Sequence, residues 1–255
     1  MELSQSWLPY NKSSNSIQNV FCFHHAGGSG VNFTKWNNTG NNIRFIPIEL
    51  PGRGIRMKEH CISHFRDAVH QIAEAIQEEV SKTHCSEFFF FGHSLGAIIA
   101  FCTAWYMNQQ YHIHPKALFV AARHAPQMPD PSLFRSDMSN EAMVEELKRL
   151  GGTPEEILNC KEYLAMFTSI IRNDYRLHEE YHYHGEKIDI PIIAHAGTED
   201  YGASKADMKA WSQVTDNYCY VEEFEGGHFF LYELGKEYVQ HIADEIQLVT
   251  SGQIL

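Results

Sequence analysis

The stretch EFFFFGHSLGAIIA, residues 87–100, constrains this chain more than any other. Four consecutive phenylalanines, Phe88 to Phe91, make too short a run for a helix and suit a strand buried on both faces. They run directly into Gly92-His93-Ser94-Leu95-Gly96, after which Ala97-Ile98-Ile99-Ala100 opens a helical pattern. Strand, G-x-S-x-G and helix, in that order, are the context for a strained turn that holds a serine hydroxyl clear of the sheet. Such a turn crowds any side chain two residues either side of the serine, which accounts for Gly92 and Gly96. The helix that follows points its N-terminal amides and positive dipole end at any oxyanion formed beside Ser94.

A serine hydroxyl is a weak nucleophile at neutral pH. It needs a base within hydrogen-bond reach, and the base needs a carboxylate to fix its tautomer. Strand-like runs at 19–23, 43–48, 88–91, 116–122, 190–196 and 218–224 are mostly separated by helical patterns. One such helix, 64–80, carries Phe65, Val69, Ile72, Ala73, Ile76 and Val80 on one face. The alternation predicts an α/β fold in one domain over 1–255, a mostly parallel sheet flanked by helices, with catalytic groups at the strands' carboxyl ends. His228 follows the last strand after Gly226-Gly227 and is the expected base. Asp200 follows the penultimate strand in Gly-Thr-Glu-Asp and is the expected acid, with neighbouring Glu199 its competitor.

The remaining histidines fit less demanding roles. His93 is expected to pack, and His24 and His25 to shape the loop after the first strand. His112/His114 and His182/His184 have H-x-H spacing but no evident third ligand, so no metal site is expected. The loop His24-His25-Ala26-Gly27-Gly28-Ser29-Gly30 is neither G-x-G-x-x-G nor a lysine-bearing phosphate loop. It reads as a supplier of one oxyanion amide or as a flexible turn. Arg53 and Arg56 either line the entrance or are solvated; their spacing does not choose.

Between about 130 and 185 the alternation stops. One helix is expected over 140–150, closed by Gly151-Gly152, and a second opens at Thr153-Pro154-Glu155-Glu156. The second carries Ile157, Leu158, Leu164, Met166, Phe167, Ile170 and Ile171. That apolar surplus fits a lid over an acyl-chain pocket, or ordinary packing helices. A formal net charge of −12 with no basic stripe argues against nucleic acid and against an anionic membrane surface. The opening MELSQSWLPYNKSSNS lacks the apolar core of a signal peptide, and no apolar run reaches membrane-span length. The six cysteines are scattered without a C-x-x-C pair. A soluble, cytoplasmic, reduced monomer is expected.

Seven motifs then fall in order: FCFHHAGGSG (21–30), ELPGRGIR (49–56), FFGHSLGA (90–97), ARHAP (122–126), IRNDY with EEYHY (171–175 and 179–183), AGTED (196–200) and FEGGHFFL (224–231). Together they resemble the type II thioesterases that accompany nonribosomal peptide synthetases and polyketide synthases, within the α/β-hydrolase superfamily. The resemblance covers nearly the whole chain. It implies hydrolysis of acyl groups from the phosphopantetheine arm of acyl or peptidyl carrier protein domains, with no cofactor beyond that arm. It assigns Ser94 as nucleophile, His228 as general base, Asp200 as orienting acid, the amides of Ala26 and Leu95 as oxyanion donors, and about 130–185 as lid. Leu95 stands where the family often has Met, and His24-His25 replaces the more usual Pro-His. Carrier proteins are usually acidic, as this chain is, so docking is expected through a local apolar or basic patch, with Lys35, Arg53, Arg56 and Lys58 as candidates. A carboxylesterase, an acyltransferase or a non-catalytic synthase partner of the same fold would share these residues or this scaffold.

Overall fold

The apolar runs become six strands of one sheet: β1 (Gln18–Phe23), β2 (Ile43–Pro47), β3 (Phe88–His93), β4 (Leu118–Ala121), β5 (Ile192–Gly197) and β6 (Cys219–Phe224). The computed structural model describes residues 6–11, 18–38, 42–83, 87–131, 134–153 and 155–253. The strand order is β2-β1-β3-β4-β5-β6, and every registered pair is parallel. The chain steps outward from β1 to β2, then crosses back to place β3 on the other side of β1. The loops leaving β1 and β3 therefore part at a topological switch point, where sheets of this kind open a crevice.

The alternation of side chains along β3 explains why four phenylalanines are needed there. Phe88 and Phe90 join the core shared with α1 (Phe65–Thr83) and α2 (Leu95–Tyr111). Phe89 and Phe91 point to the opposite face, into a core with Trp36 and residues 238–246. Phe91 meets Trp36 edge-on with ring centroids 5.0 Å apart. Truncating any one of these buried rings to Ala costs about 3–5 kcal/mol.

Between β4 and β5 lie α3 (Asn140–Leu150), α4 (Glu155–Asn159) and α5 (Lys161–Glu180). Ser139 caps α3 by accepting from the Ala142 amide at 3.2 Å. The single second helix expected from 153 is instead two, because Cys160 adopts an extended conformation (φ −105, ψ 115). Pro154, part of that expectation, lies outside the described residues, as does Cys85. After β5 come α6 (Lys205–Met208) and a 3-10 turn, Lys209–Gln213. The last helix divides at Gly235 into α7 (Phe230–Leu234) and α8 (Lys236–Thr250). Cys22, Cys61, Cys102, Cys160 and Cys219 form no disulfide. No helix among the described residues is long and apolar enough to cross a membrane.

β5, β6 and α8 are tied together by a polar cluster that the sequence did not advertise. His195, fully buried on β5, lies 2.7 Å from the Tyr238 hydroxyl and 3.2 Å from Glu245 Oε1. His241 Nε2 lies 3.1 Å from Glu222 and 3.4 Å from Glu245. Burial works to raise the Glu245 carboxyl, but His195 and His241 outweigh it and bring it down to about 2. Glu245 is thus ionised in the folded protein, and its pairing stabilises the fold most above the unfolded value near 4.5. Glu245→Gln is expected to lower unfolding free energy by about 3 kcal/mol at neutral pH. In urea unfolding, the difference from the parent protein should shrink as pH falls from 4.5 towards 2.

Candidate active site

Ser94 occupies the turn between β3 and α2 with φ 55 and ψ −117, a conformation costly for any residue with a side chain. The turn is secured by Ser94 N–H donating to Ala121 O at 2.9 Å and Ala97 N–H donating to Ser94 O at 3.0 Å. Its tightness forbids side chains on either flank. A Cβ at Gly92 would lie 2.5 Å from Ala97 Cα, and one at Gly96 would lie 2.2 Å from Phe23 O. The α2 N-terminus can therefore pack directly against the end of β1.

The loop after β6 carries His228 back to this turn. Its Nε2 lies 3.0 Å from Ser94 Oγ, and its Nδ1 lies 2.9 Å from Asp200 Oδ2. A carboxylate only accepts, so Nδ1 carries the proton and the Nε2 lone pair faces the serine hydroxyl. His93, buried at the end of β3, donates from Nε2 to His228 O at 2.9 Å and fixes the backbone of that loop. Its imidazole is held well below the ordinary range, first by burial and then by the neighbouring histidines, so it packs as a neutral ring.

Asp200 is 5% exposed and accepts from the Gly202 amide at 3.0 Å. Burial works to raise its carboxyl. The hydrogen bond and charge of His228, together with the amides of Gly202 and Ala203, outweigh that and hold it below the ordinary carboxylate range. Glu199, its competitor in the sequence, is exposed. The geometry chooses Asp200.

Leu95 opens α2, so its amide has no acceptor within the helix. Ala26 lies in the turn after β1, closed by Gly28 N–H donating to His25 O at 2.9 Å. His24 and His25 do shape this loop. Their Nδ1 atoms donate to His25 O at 2.8 Å and Ala26 O at 2.9 Å, and burial above all lowers them to about 3 and about 4. Both rings are neutral at physiological pH.

Two cavities, one small and mainly apolar and one wide with a mixed lining, meet at Ser94 and His228. One of about 40 Å³ is bordered by Ala26 and by apolar side chains including Phe134, Leu147, Leu150, Phe167, Ile171 and Phe229. The other, about 650 Å³ and open, is bordered by Arg123, His124, Asp130, Glu199, Tyr201 and Glu233 among others. The apolar border comes largely from α3 and α5.

Arg53 and Arg56 are neither entrance-lining nor solvated. Arg53 is buried in a two-pronged ion pair with Asp174 of α5. Arg56 donates to Glu49 O at 2.8 Å, pairs with Glu59 and lies 4.5 Å over the Trp7 ring. Neither is available to a docking partner; Lys35 and Lys58 remain exposed. Asp174 received no role from sequence, although an acid in the buried stripe of Ile170, Ile171 and Leu177 is a signal of its own. Among the described residues the metal-capable cluster is His195, His241 and Glu245, not the H-x-H pairs singled out from spacing.

A family model for the thioesterase domain matches residues 18–248. The chain belongs to the thioesterase family. It is 32% identical over 255 residues to the gramicidin S biosynthesis protein GrsT of Aneurinibacillus migulanus, across 99% of this chain and 98% of that one. Among solved structures it is similar to ClbQ from the colibactin NRPS/PKS pathway, at 30% identity, 91% and 98% coverage, and TM-score 0.82. It is equally similar to BorB, the type II thioesterase of the borrelidin biosynthetic cluster, at 30% identity, 93% and 96% coverage, and TM-score 0.81. This thioesterase thus has the α/β-hydrolase fold, and its kinship is with type II enzymes of synthase pathways, hydrolases of the serine-dependent kind. Asp200→Asn, which keeps the shape but removes the charge that fixes the His228 tautomer, is expected to lower kcat by about 10³–10⁴ at pH 7. Glu199→Gln should leave it near the parent value in the same assay with an acyl-pantetheine thioester.

Proposed function

We propose that this thioesterase hydrolyses acyl groups from the phosphopantetheine arm of carrier-protein domains, acting in trans to clear stalled or mis-primed units from a nonribosomal peptide or polyketide synthase. The observation that carries the reading is the hydrogen-bonded series Ser94–His228–Asp200 at the junction of a small apolar cavity and a wide, open one of mixed lining. The apolar cavity suits an acyl tail, and the open one suits the arm. That GrsT is a gramicidin S biosynthesis protein, ClbQ comes from the colibactin NRPS/PKS pathway and BorB from the borrelidin biosynthetic cluster supports the synthase as partner.

Ser94 Oγ attacks the thioester carbonyl as its proton passes to His228 Nε2, and Asp200 stabilises the imidazolium. The developing oxyanion is met by the amides of Ala26 and Leu95 at the positive end of α2. The C–S bond breaks, and the pantetheine sulfur leaves with the proton that His228 returns. Water then attacks the acyl-serine, giving its proton to His228. The acid departs and Ser94 is restored, with no cofactor taking part. Helices α3 to α5 serve as the cover that excludes bulk water from the acyl tail. The segment 55–58 follows β2 and exposes Ile55, Met57 and Lys58, the apolar and basic combination that an acidic carrier would accept.

Carrier proteins loaded with a panel of acyl groups and followed by intact mass should lose the acyl increment with the parent enzyme and keep it with Ser94→Ala. Faster turnover of simple aryl esters than of any loaded carrier would favour a carboxylesterase instead. The apolar cavity also sets an expected preference. Its volume of about 40 Å³ accommodates roughly three water-sized groups, so short acyl tails should turn over best. Leu150→Ala or Phe167→Ala should raise kcat/KM for six- to eight-carbon tails relative to two-carbon ones by about tenfold, the scale of one or two buried methylenes. The same mass assay reads that ratio.

A further inference from the structure

The turn after β1 is held from two sides, and one of the holders comes from the segment between β4 and β5. Gly28 N–H donating to His25 O makes Ala26 and Gly27 its central residues, and Gly27 has φ +74, the left-handed value that a type II turn needs there. The peptide joining Ala26 to Gly27 is then gripped at both edges. Its carbonyl accepts from His25 Nδ1 at 2.9 Å, and its N–H donates to Asp174 Oδ2 at 2.7 Å. Asp174 also receives Arg53 Nη1 on Oδ2 and Nη2 on Oδ1, both at 2.6 Å, while Arg53 Nη1 reaches Gly28 O at 3.2 Å. Asp174 is fully buried and Arg53 is 3% exposed. A carboxylate in such a place is costly unless paired and hydrogen-bonded, and here it is both. The turn also rests on the helix that bears Asp174, since a Cβ at Gly27 would lie 2.5 Å from Ile171 Cγ1.

We propose that Asp174 and Arg53 are positioning residues of the oxyanion site: by clamping the Ala26–Gly27 peptide to α5 they fix the direction of the Ala26 amide relative to Ser94. The proposal rests on the acyl-serine reading above, in which that amide meets the oxyanion. Neither side chain touches the reacting atoms. Their effect should be felt where the oxyanion develops and not where the substrate first binds, so kcat should fall while KM holds. A buried pair that only stabilises the fold would lower the amount of active protein and leave the turnover of each folded molecule unchanged. Helix α5, which also borders the apolar cavity, thereby becomes part of the same rigid unit as the oxyanion loop.

The test compares Asp174→Asn and Arg53→Lys with the parent enzyme on an acyl-pantetheine thioester, with active serines counted by exhaustive fluorophosphonate labelling. Per labelled serine, Asp174→Asn is expected to lose about a hundredfold in kcat, the scale of a reacting group misplaced by an ångström, with KM within about threefold. Its affinity for an alkylboronic acid, which forms a tetrahedral adduct on the serine, should fall by a similar factor. Arg53→Lys keeps the charge but loses the fork and should lose about tenfold; it carries the test alone if Asp174→Asn does not fold. Unchanged kcat per labelled serine, or a matching loss confined to KM, overturns the proposal. Ser94→Ala is run alongside. If it retains turnover, the acyl-serine reading falls and this proposal with it; if it is inactive while the clamp variants match the parent, only the clamp is wrong.

Discussion

The absence of side chains at Gly92 and Gly96 is the constraint on which the rest of the site depends. With hydrogen at those two positions, the start of α2 approaches the end of β3 at Gly92 and the end of β1 at Gly96 to separations that a single methyl would prevent. That approach forces Ser94 into its left-handed conformation, out of the sheet and towards the loop after β6. Parallel register does the remainder. Because every strand runs the same way, Ser94, Asp200 and His228 all emerge at one rim, although 134 positions separate the serine from the histidine in the chain. The strain at the serine is sustained by the burial of four phenylalanine rings split between two cores.

Electrostatics at the site are divided with some economy among four histidines and two acids. His93, buried against the His228 ring, and the neighbouring His24 (buried) and His25 (half-buried) are kept uncharged chiefly by desolvation, so none of them places a cation near His228. Asp200 is the acid that faces His228, and its depressed carboxyl keeps a negative charge 2.9 Å from Nδ1. Asp174 spends its charge elsewhere, on Arg53 and the Gly27 amide. His195 lies on β5, five residues before Asp200 in the chain, and belongs to a separate cluster with Glu245, which ties the strands preceding Asp200 and His228 to the last helix.

Much of this was legible because local signals and the global fold agree. The alternation of strands and helices, the Gly-x-Ser-x-Gly turn and the placement of His228 after two glycines all follow from short-range pattern. What stayed hidden depends on contacts between distant segments. Arg53 looks like a loop cation at the sheet's active end, and only the position of Asp174, 121 residues later, reveals it as buried. The choice between Glu199 and Asp200 likewise turns on which of two adjacent acids faces inward, which residue type alone does not encode. The break at Cys160 falls where that residue turns extended, and the division at Gly235 falls where a glycine takes φ 56.

The most direct measurement of the central claim is a single turnover quenched on the millisecond scale, with the enzyme then digested and mapped by mass. The account predicts a transient acyl increment on the peptide containing Ser94, appearing before the free acid and decaying with its formation. Hydrolysis that proceeds with no increment at any time, or with one located on a cysteine peptide, would contradict it.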